Sequence, residues 1–340
     1  MVQSKSVSVW LPALRSGSGS DVFTLRLAEG LAKAGHRPIV QWFDRRFELA
    51  PWLLRVVPVP VGVDVVHAGS WQGFAFKRGS LPLVITEHHC SLHPIWRQYH
   101  GAVQSLYHRL CVQRWNRLSY QAADAVVAVS HFSSEPLRRH VPERLQIIHN
   151  GIDTQLFSPR KRPRSGRFRL LFVGNPSCWK GADLLVPLAK ALGQEFEVCC
   201  LGGLRSSWPA ELDGEGLTFL PRCMPEQMPA VYQSVDAVLA LTRFETFGYV
   251  AVEAMACGIP VVGFDNAGTS EVCLNNETAL LGPLDDLGYL VERVRELASD
   301  QLLYERIGAN GRRHVLKLFT IESCVSRYVA LYQQLLSANR

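Results

Sequence analysis

The feature that most constrains this chain is a periodicity that runs, stops and starts again. Short runs rich in β-branched residues occur at SVSVWL (6–11), RPIVQWF (37–43), VDVVHA (63–68), PLVIT (82–86), AVVAVS (125–130) and LQIIH (145–149). Segments such as 21–34 and 99–118 lie between them, with apolar residues at helical spacing. The pattern then restarts at FRLLFVG (168–174), FEVCCLG (196–202), LTFLP (217–221), DAVLAL (236–241) and IPVVGF (259–264). Strands that alternate with helices build parallel α/β sheets, and continuously apolar strands need cover on both faces. The restart therefore predicts two Rossmann-like α/β domains, and 340 residues suffice for two domains of roughly 150. The stretch SPRKRPRSGR (158–167) has no apolar period and reads as an exposed linker. The expected boundaries are residues 1–155 and 165–320, with a last helix at about 320–338 closing the chain on the first domain.

Composition removes several alternatives. A hydrophobic content of 47% with 19% charge describes a globular protein rather than a disordered one. No window approaches the ~18 apolar residues of a membrane span. The opening residues lack the flanks of a secretion signal. Nine cysteines at irregular spacing, with no CxxC pair, read as free thiols in a reducing cytoplasm. The net charge of +6 hides an asymmetry: residues 1–150 carry 17 basic against 9 acidic residues, and residues 170–340 carry 13 against 20. A basic front half suggests an anionic partner, whether a phosphorylated substrate, an acidic membrane surface or a nucleic acid.

Open α/β sheets bind ligands beyond the carboxyl ends of their strands, so the loops after strands come first. In LTRFETFGYVAVEAMACGIPVV (241–262), Glu245 sits in such a loop, and a helix begins near Gly248. The backbone N–H groups of Phe247, Gly248 and Tyr249 would lie at that helix start, where they suit an anion or a polyhydroxyl ligand. Glu253, about two turns on, would accept from two vicinal hydroxyls, as on a ribose. In FVGNPSCWKG (172–181), Lys180 precedes a helix and can neutralise a diphosphate as its bond to a sugar breaks. In LRSGSGSDVF (14–23), Gly17 and Gly19 allow close approach of backbone to ligand. Val22 stands where a dinucleotide fingerprint needs its third glycine, which disfavours a nicotinamide enzyme. His88, His89, Cys90 and His93 share one loop, but their spacing fits no common zinc pattern, so no metal is expected. Residues 95–118 place Tyr99, Val103, Leu106, Tyr107 and Leu110 on one helical face, with Arg97, Arg109, Arg114 and Arg117 around it. That pattern suits a core-packing helix with a solvated face, or docking to an anionic inner-membrane leaflet.

The stretch from Glu245 to Val262 resembles the E-x7-E signature of retaining glycosyltransferases of family 4, which have the GT-B fold. The family typically reads E-G-F-G-L-x-x-x-E-A-M-A-x-G-x-P-V-V. Here Glu245, Phe247, Gly248, Glu253, Gly258 and Pro260 stand in the corresponding places. The resemblance extends from GSGS near the start to the closing helix. It implies two parallel sheets facing across a cleft, with the acceptor on the first domain and the nucleotide-sugar on the second. It gives Glu245 a donor-sugar hydroxyl, Glu253 the ribose and Lys180 the diphosphate. It also implies a histidine near the donor sugar, with His88 the first choice and His89 the second. Gly17, Gly19, Asn175, Phe247 and Gly248 complete the donor site. HNGIDTQLF (149–157) is implied as a hinge and FDNAGTSEV (264–272) as a donor-side loop, where Glu271 belongs to a helix start.

One departure stands out: the family usually carries an arginine where this chain has Asn175, which brings no charge. Arg205, Arg222 and Arg243 are the candidate replacements. The expected reaction moves a hexose from a nucleotide-diphosphate sugar to a glycan or lipid-linked acceptor, in bacterial surface polysaccharide or lipopolysaccharide synthesis. No metal cofactor is expected, and the expected location is the cytoplasm, peripheral on the inner face of the cytoplasmic membrane. The rival readings are a catalytically impaired nucleotide-sugar-binding scaffold and a nucleotide-sugar epimerase of the same fold. A nucleic-acid partner is not expected, because the interleaved aromatics of a stacking platform are missing.

Overall fold

The computed structural model describes residues 6–89, 91, 93–99, 101–160, 166–202, 208 and 216–338, with the side chain of Arg97 outside the description. Cys90, Arg205 and the 161–165 portion of the expected linker also lie outside the described residues. The chain forms two compact units, one of Met1–Gly151 with Ile321–Arg340 and the other of Ile152–Thr320. The first unit thus ends a few residues before position 155. Residues 152–158 belong with the second: the Ile152 amide donates to the Phe319 carbonyl, Phe157 is buried, and Gln233 donates to the Ser158 carbonyl.

The first unit holds β1 (Ser8–Leu14), β2 (Arg37–Phe43), β3 (Val65–Gly69), β4 (Leu83–Glu87), β5 (Ala125–Ala128) and β6 (Leu145–Ile147). They form one parallel sheet in the order β2-β1-β3-β4-β5-β6. Alternate residues feed two cores. Val9, Leu11, Val65, Val84 and Val127 face one way, against the helices Gly19–Lys33 and Ile321–Ala338. Trp10, Val66, Ile85 and Val126 face the other way, with Phe76 and Trp115. The closing helix is also bonded into the sheet. His67 is held between Tyr332 Oη and Thr86 Oγ1, each at 2.7 Å, and Thr86 Oγ1 lies 2.9 Å from Tyr328 Oη.

The second unit holds β7 (Phe168–Val173), β8 (Phe196–Leu201), β9 (Leu217–Leu220), β10 (Ala237–Ala240), β11 (Val261–Phe264) and β12 (Leu280–Gly282). Its parallel sheet runs β12-β11-β10-β7-β8-β9. The periodicity predicts all of these strands except β12, whose three residues are too few to show one.

Residues 95–118 differ from the continuous helix expected. A 3-10 segment Pro94–Tyr99 precedes the helix Ala102–Tyr107, a π-helical turn His108–Val112 follows, and the helix Gln113–Ala122 ends the stretch. Gly101 caps the first break, and the wider π turn shifts the register of the face. Val112 and Trp115 therefore turn inward, whereas Val103, Leu106 and Leu110 are 84%, 56% and 58% exposed. The expected core-packing face is corrected accordingly.

Candidate functional site

In the second sheet the strand order reverses between β7 and β10, and ligands of such sheets bind beyond the strand ends at that point. The loop after β7 carries Asn175 and Lys180, and the loop after β10 carries Arg243 and Glu245. The two loops meet: Lys180 Nζ donates to Glu245 Oε2 at 2.9 Å and lies 4.5 Å from the centroid of the Trp179 ring. Gly181 permits this approach. Its φ is +80°, and a Cβ there would overlap the carbonyl oxygen of Leu241 in the neighbouring loop.

Glu245 is half-buried, and burial alone would raise its carboxyl pKa. The Lys180 ammonium and the backbone N–H groups of Phe247 and Thr246 outweigh that effect and hold it below its ordinary value. The N–H of Thr246 donates to Glu245 Oε1 at 3.1 Å. These amides thus act on the protein's own carboxylate, in place of the ligand expected for Phe247. The Phe247 side chain is core, packed edge-on to Phe319 and Tyr249. Gly248 turns the chain into the helix Tyr249–Ala256 with φ +95°. The Gly268 amide donates to the Glu245 carbonyl at 2.8 Å, so the first turn of the helix Ala267–Val272 is tied to the backbone of the acid.

Glu253 lies within that helix and is 7% exposed, with Oε2 accepting from Tyr232 at 2.8 Å. That burial sets Glu253 apart from a solvated surface helix residue. Asn175 stays half-buried after β7, and its carbonyl accepts from the Ser177 amide at 2.8 Å. Of the candidate replacement arginines, Arg222 is exposed in the chain leaving β9. Arg243 is committed elsewhere: it forks onto Asp183 at 2.7 and 2.8 Å and reaches Asp285 at 2.6 Å. Its bonds to Asp183, then to Asp285, raise its pKa further, and it is not a spare cation for phosphate. Sequence reasoning missed this cluster because Asp183 and Asp285 come from loops far apart in the chain.

The remaining candidates belong to the first unit. Gly17 has φ +64°, and Gly19 opens the helix Gly19–Lys33, slightly earlier than the expected Asp21. The Asp21 carboxylate fills the loop, accepting from the Ser16 and Gly17 amides at 3.0 and 2.8 Å. His88 follows β4 and packs on Phe23 with ring centroids 4.5 Å apart. Burial, then the nearby His89 and His67, lower its pKa to about 3, so it is a neutral imidazole near pH 7. The His89 amide donates to the buried Glu87 at 2.8 Å, and Glu87 also accepts from Tyr120. His93 stacks on Phe132. Among the described residues no cluster of three metal-ligating side chains occurs.

A doubly wound unit with a lysine–glutamate pair at its switch point, joined to a second parallel α/β unit, is the architecture that the resemblance to GT-B glycosyltransferases implies. Residues 153–314 match the family described as "Glycosyl transferases group 1", and residues 41–156 match "Glycosyltransferase Family 4". The chain belongs to glycosyltransferase family 4. It is 28% identical over 326 residues to D-inositol 3-phosphate glycosyltransferase 1 of Catenulispora acidiphila, covering 83% of this chain and 74% of that protein. It is 27% identical over 297 residues to the MMP alpha-(1->4)-mannosyltransferase of Mycolicibacterium hassiacum, covering 80% and 70%. The fold matches sucrose-phosphate synthase of Thermosynechococcus elongatus with a TM-score of 0.80 at 21% identity, over 97% of this chain and 99% of the other. It also matches Anabaena HepE in complex with UDP-glucose, with a TM-score of 0.76 at 21% identity, over 96% and 99%.

Proposed function

We propose that this glycosyltransferase moves a hexose, with retention of configuration, from a nucleotide-diphosphate sugar to a glycan or lipid-linked acceptor. The observation that carries the reading is the Lys180–Glu245 contact at the switch point of the second sheet. In this account the bond between the sugar's anomeric carbon and the diphosphate oxygen breaks. The acceptor oxygen bonds to that carbon on the same face, and the acceptor's proton passes to the departing phosphate. Lys180 stabilises the charge that develops on the diphosphate, and Glu245 fixes a sugar hydroxyl. Glu253, whose carboxylate accepts from Tyr232, is the group proposed for the ribose hydroxyls. Asn175, in the same loop of the second unit as Lys180, is proposed to line the donor.

A uridine donor is favoured by the UDP-glucose bound to Anabaena HepE. The reaction is proposed to need no metal, so full activity in chelator is expected, and a strict metal requirement would contradict that part. The proposed site of action is the cytoplasmic face of the bacterial membrane, in assembly of a surface polysaccharide. No helix of the described residues is long and apolar enough to cross a membrane. The exposed Val103, Leu106 and Leu110 stand beside exposed Arg109, Arg114 and Arg117, and residues 88–123 contain no acid. That combination suits an anionic lipid surface. Anionic vesicles should capture the protein in low salt, and capture should weaken in Leu106→Glu with Arg109→Gln.

Turnover of UDP-hexose is the test of the main reading. Lys180→Met and Glu245→Gln should each abolish most of it, and unchanged turnover in either overturns the assigned role. Donor binding without turnover against a broad acceptor panel would favour the scaffold reading.

A further inference from the structure

The loops of the second unit converge on one side chain that the proposed chemistry does not use. Arg243 follows β10 and is 9% exposed. Its guanidinium forks onto Asp183 at 2.7 and 2.8 Å, reaches Asp285 beyond β12 at 2.6 Å, and donates to the carbonyl of Cys178. Its amide donates to the Trp179 carbonyl at 2.9 Å, and its own carbonyl accepts from Asn266 Nδ2, after β11, at 2.5 Å. Loops following β7, β10, β11 and β12 are therefore tied at a single residue. Asp285 meets it from a left-handed backbone with φ +63°, a conformation that non-glycine residues hold only when their surroundings fix it. Cys178 and Asp183 bracket Lys180, so Arg243 grips the turn that carries Lys180 on both sides.

We propose that Arg243 is a positioning residue that holds the Lys180 turn against the Glu245 loop and so sets the 2.9 Å contact between those two groups. Two carboxylates balance its charge, so it acts through Lys180 rather than on phosphate. The work needs the planar fork, since its donors point in fixed directions and meet acceptors on two loops, after β7 and after β12. A lysine at this position keeps the charge and loses the span. The catalytic consequence rests on the donor reading above, and the geometric claim does not.

The Glu245 carboxyl reports the geometry without any substrate. Lys180 is the cation facing it, while Asp183, Asp285 and Cys178 surround Arg243. With carbon-13-labelled glutamate, and Glu245→Gln to assign the signal, the wild-type carboxyl should titrate below the ordinary carboxylate range. In Arg243→Met and Arg243→Lys it should titrate upward, toward the ordinary value. Asp285→Asn should move it partway, and that variant decides the matter if the arginine variants do not fold. Under saturating donor, Arg243→Lys should lower kcat by about 10- to 100-fold with a smaller change in KM. A merely structural role would lower the melting temperature and leave the Glu245 titration in place. An unmoved titration in the folded variants overturns the proposal. If the wild type turns over no donor, the donor reading falls, and the titration still decides the role of Arg243.

Discussion

At the scale of single residues, Lys180 and Glu245 are asked for different things. Under the proposed reaction Lys180 meets charge that appears only as the sugar–phosphate bond breaks, so Lys180→Met should lower kcat by about 10²- to 10³-fold, measured with saturating donor. Glu245 must stay ionised while half-buried, and Lys180 with two backbone amides keeps it so. Because its folded pKa lies below the unfolded value, near 4.3 for a free glutamate, the resulting stabilisation is fully present above that value. It is lost as pH falls through the folded pKa. Denaturant unfolding of wild type against Glu245→Gln should therefore give a constant difference from pH 5 to 8 that shrinks below about pH 4. A difference that grows in acid contradicts the assignment. His88, with a pKa near 3, should contribute no limb to the activity profile around neutrality. The placement of Glu245, Glu253 and Lys180 was legible because each sits at a fixed offset from a strand end or helix start. The partners Tyr232, Asp183 and Asp285 were not, because only the folded sheet brings their loops together.

At the scale of elements, the loop after β7 depends on Gly181. Ala there would need a left-handed backbone and would overlap Leu241, so Gly181→Ala should cost about 1–3 kcal/mol in denaturant unfolding. It should lower turnover through Lys180 as well, and a silent substitution would show that the loops need not approach. Tyr332→Phe removes the partner of the buried His67 Nδ1 and should cost about 1–3 kcal/mol. The central strands were readable since they are continuous apolar runs buried on both faces, whereas β12 is too short to show a pattern. The 95–118 stretch was not readable as drawn. Helical spacing finds an apolar face but does not say whether that face meets the core, and a π turn shifts it without any mark in the pattern.

At the scale of the whole molecule, the two units were visible in the restart of the strand pattern. Their limits were less so, because the Arg-rich stretch draws the eye while the chain joins the second unit at Ile152. The closing helix supplies Ile321, Cys324, Val325, Tyr328, Leu331 and Tyr332 to the core of the first unit. Val325→Asp should therefore lower the unfolding temperature by several degrees, since a buried unpaired charge is costly. Residues 170–340 carry 13 basic against 20 acidic residues, so in the proposed function Lys180 has to offset a net negative surrounding for an anionic donor. The measurement that tests this most directly is calorimetric binding of UDP, GDP and ADP, followed by slow hydrolysis of the matching nucleotide-hexose, in wild type and Glu245→Ala. Binding of UDP, with hydrolysis present in the wild type and lost in the variant, is the predicted result. Failure of every nucleoside diphosphate to bind, or hydrolysis that survives in Glu245→Ala, would contradict the donor site at Lys180 and Glu245.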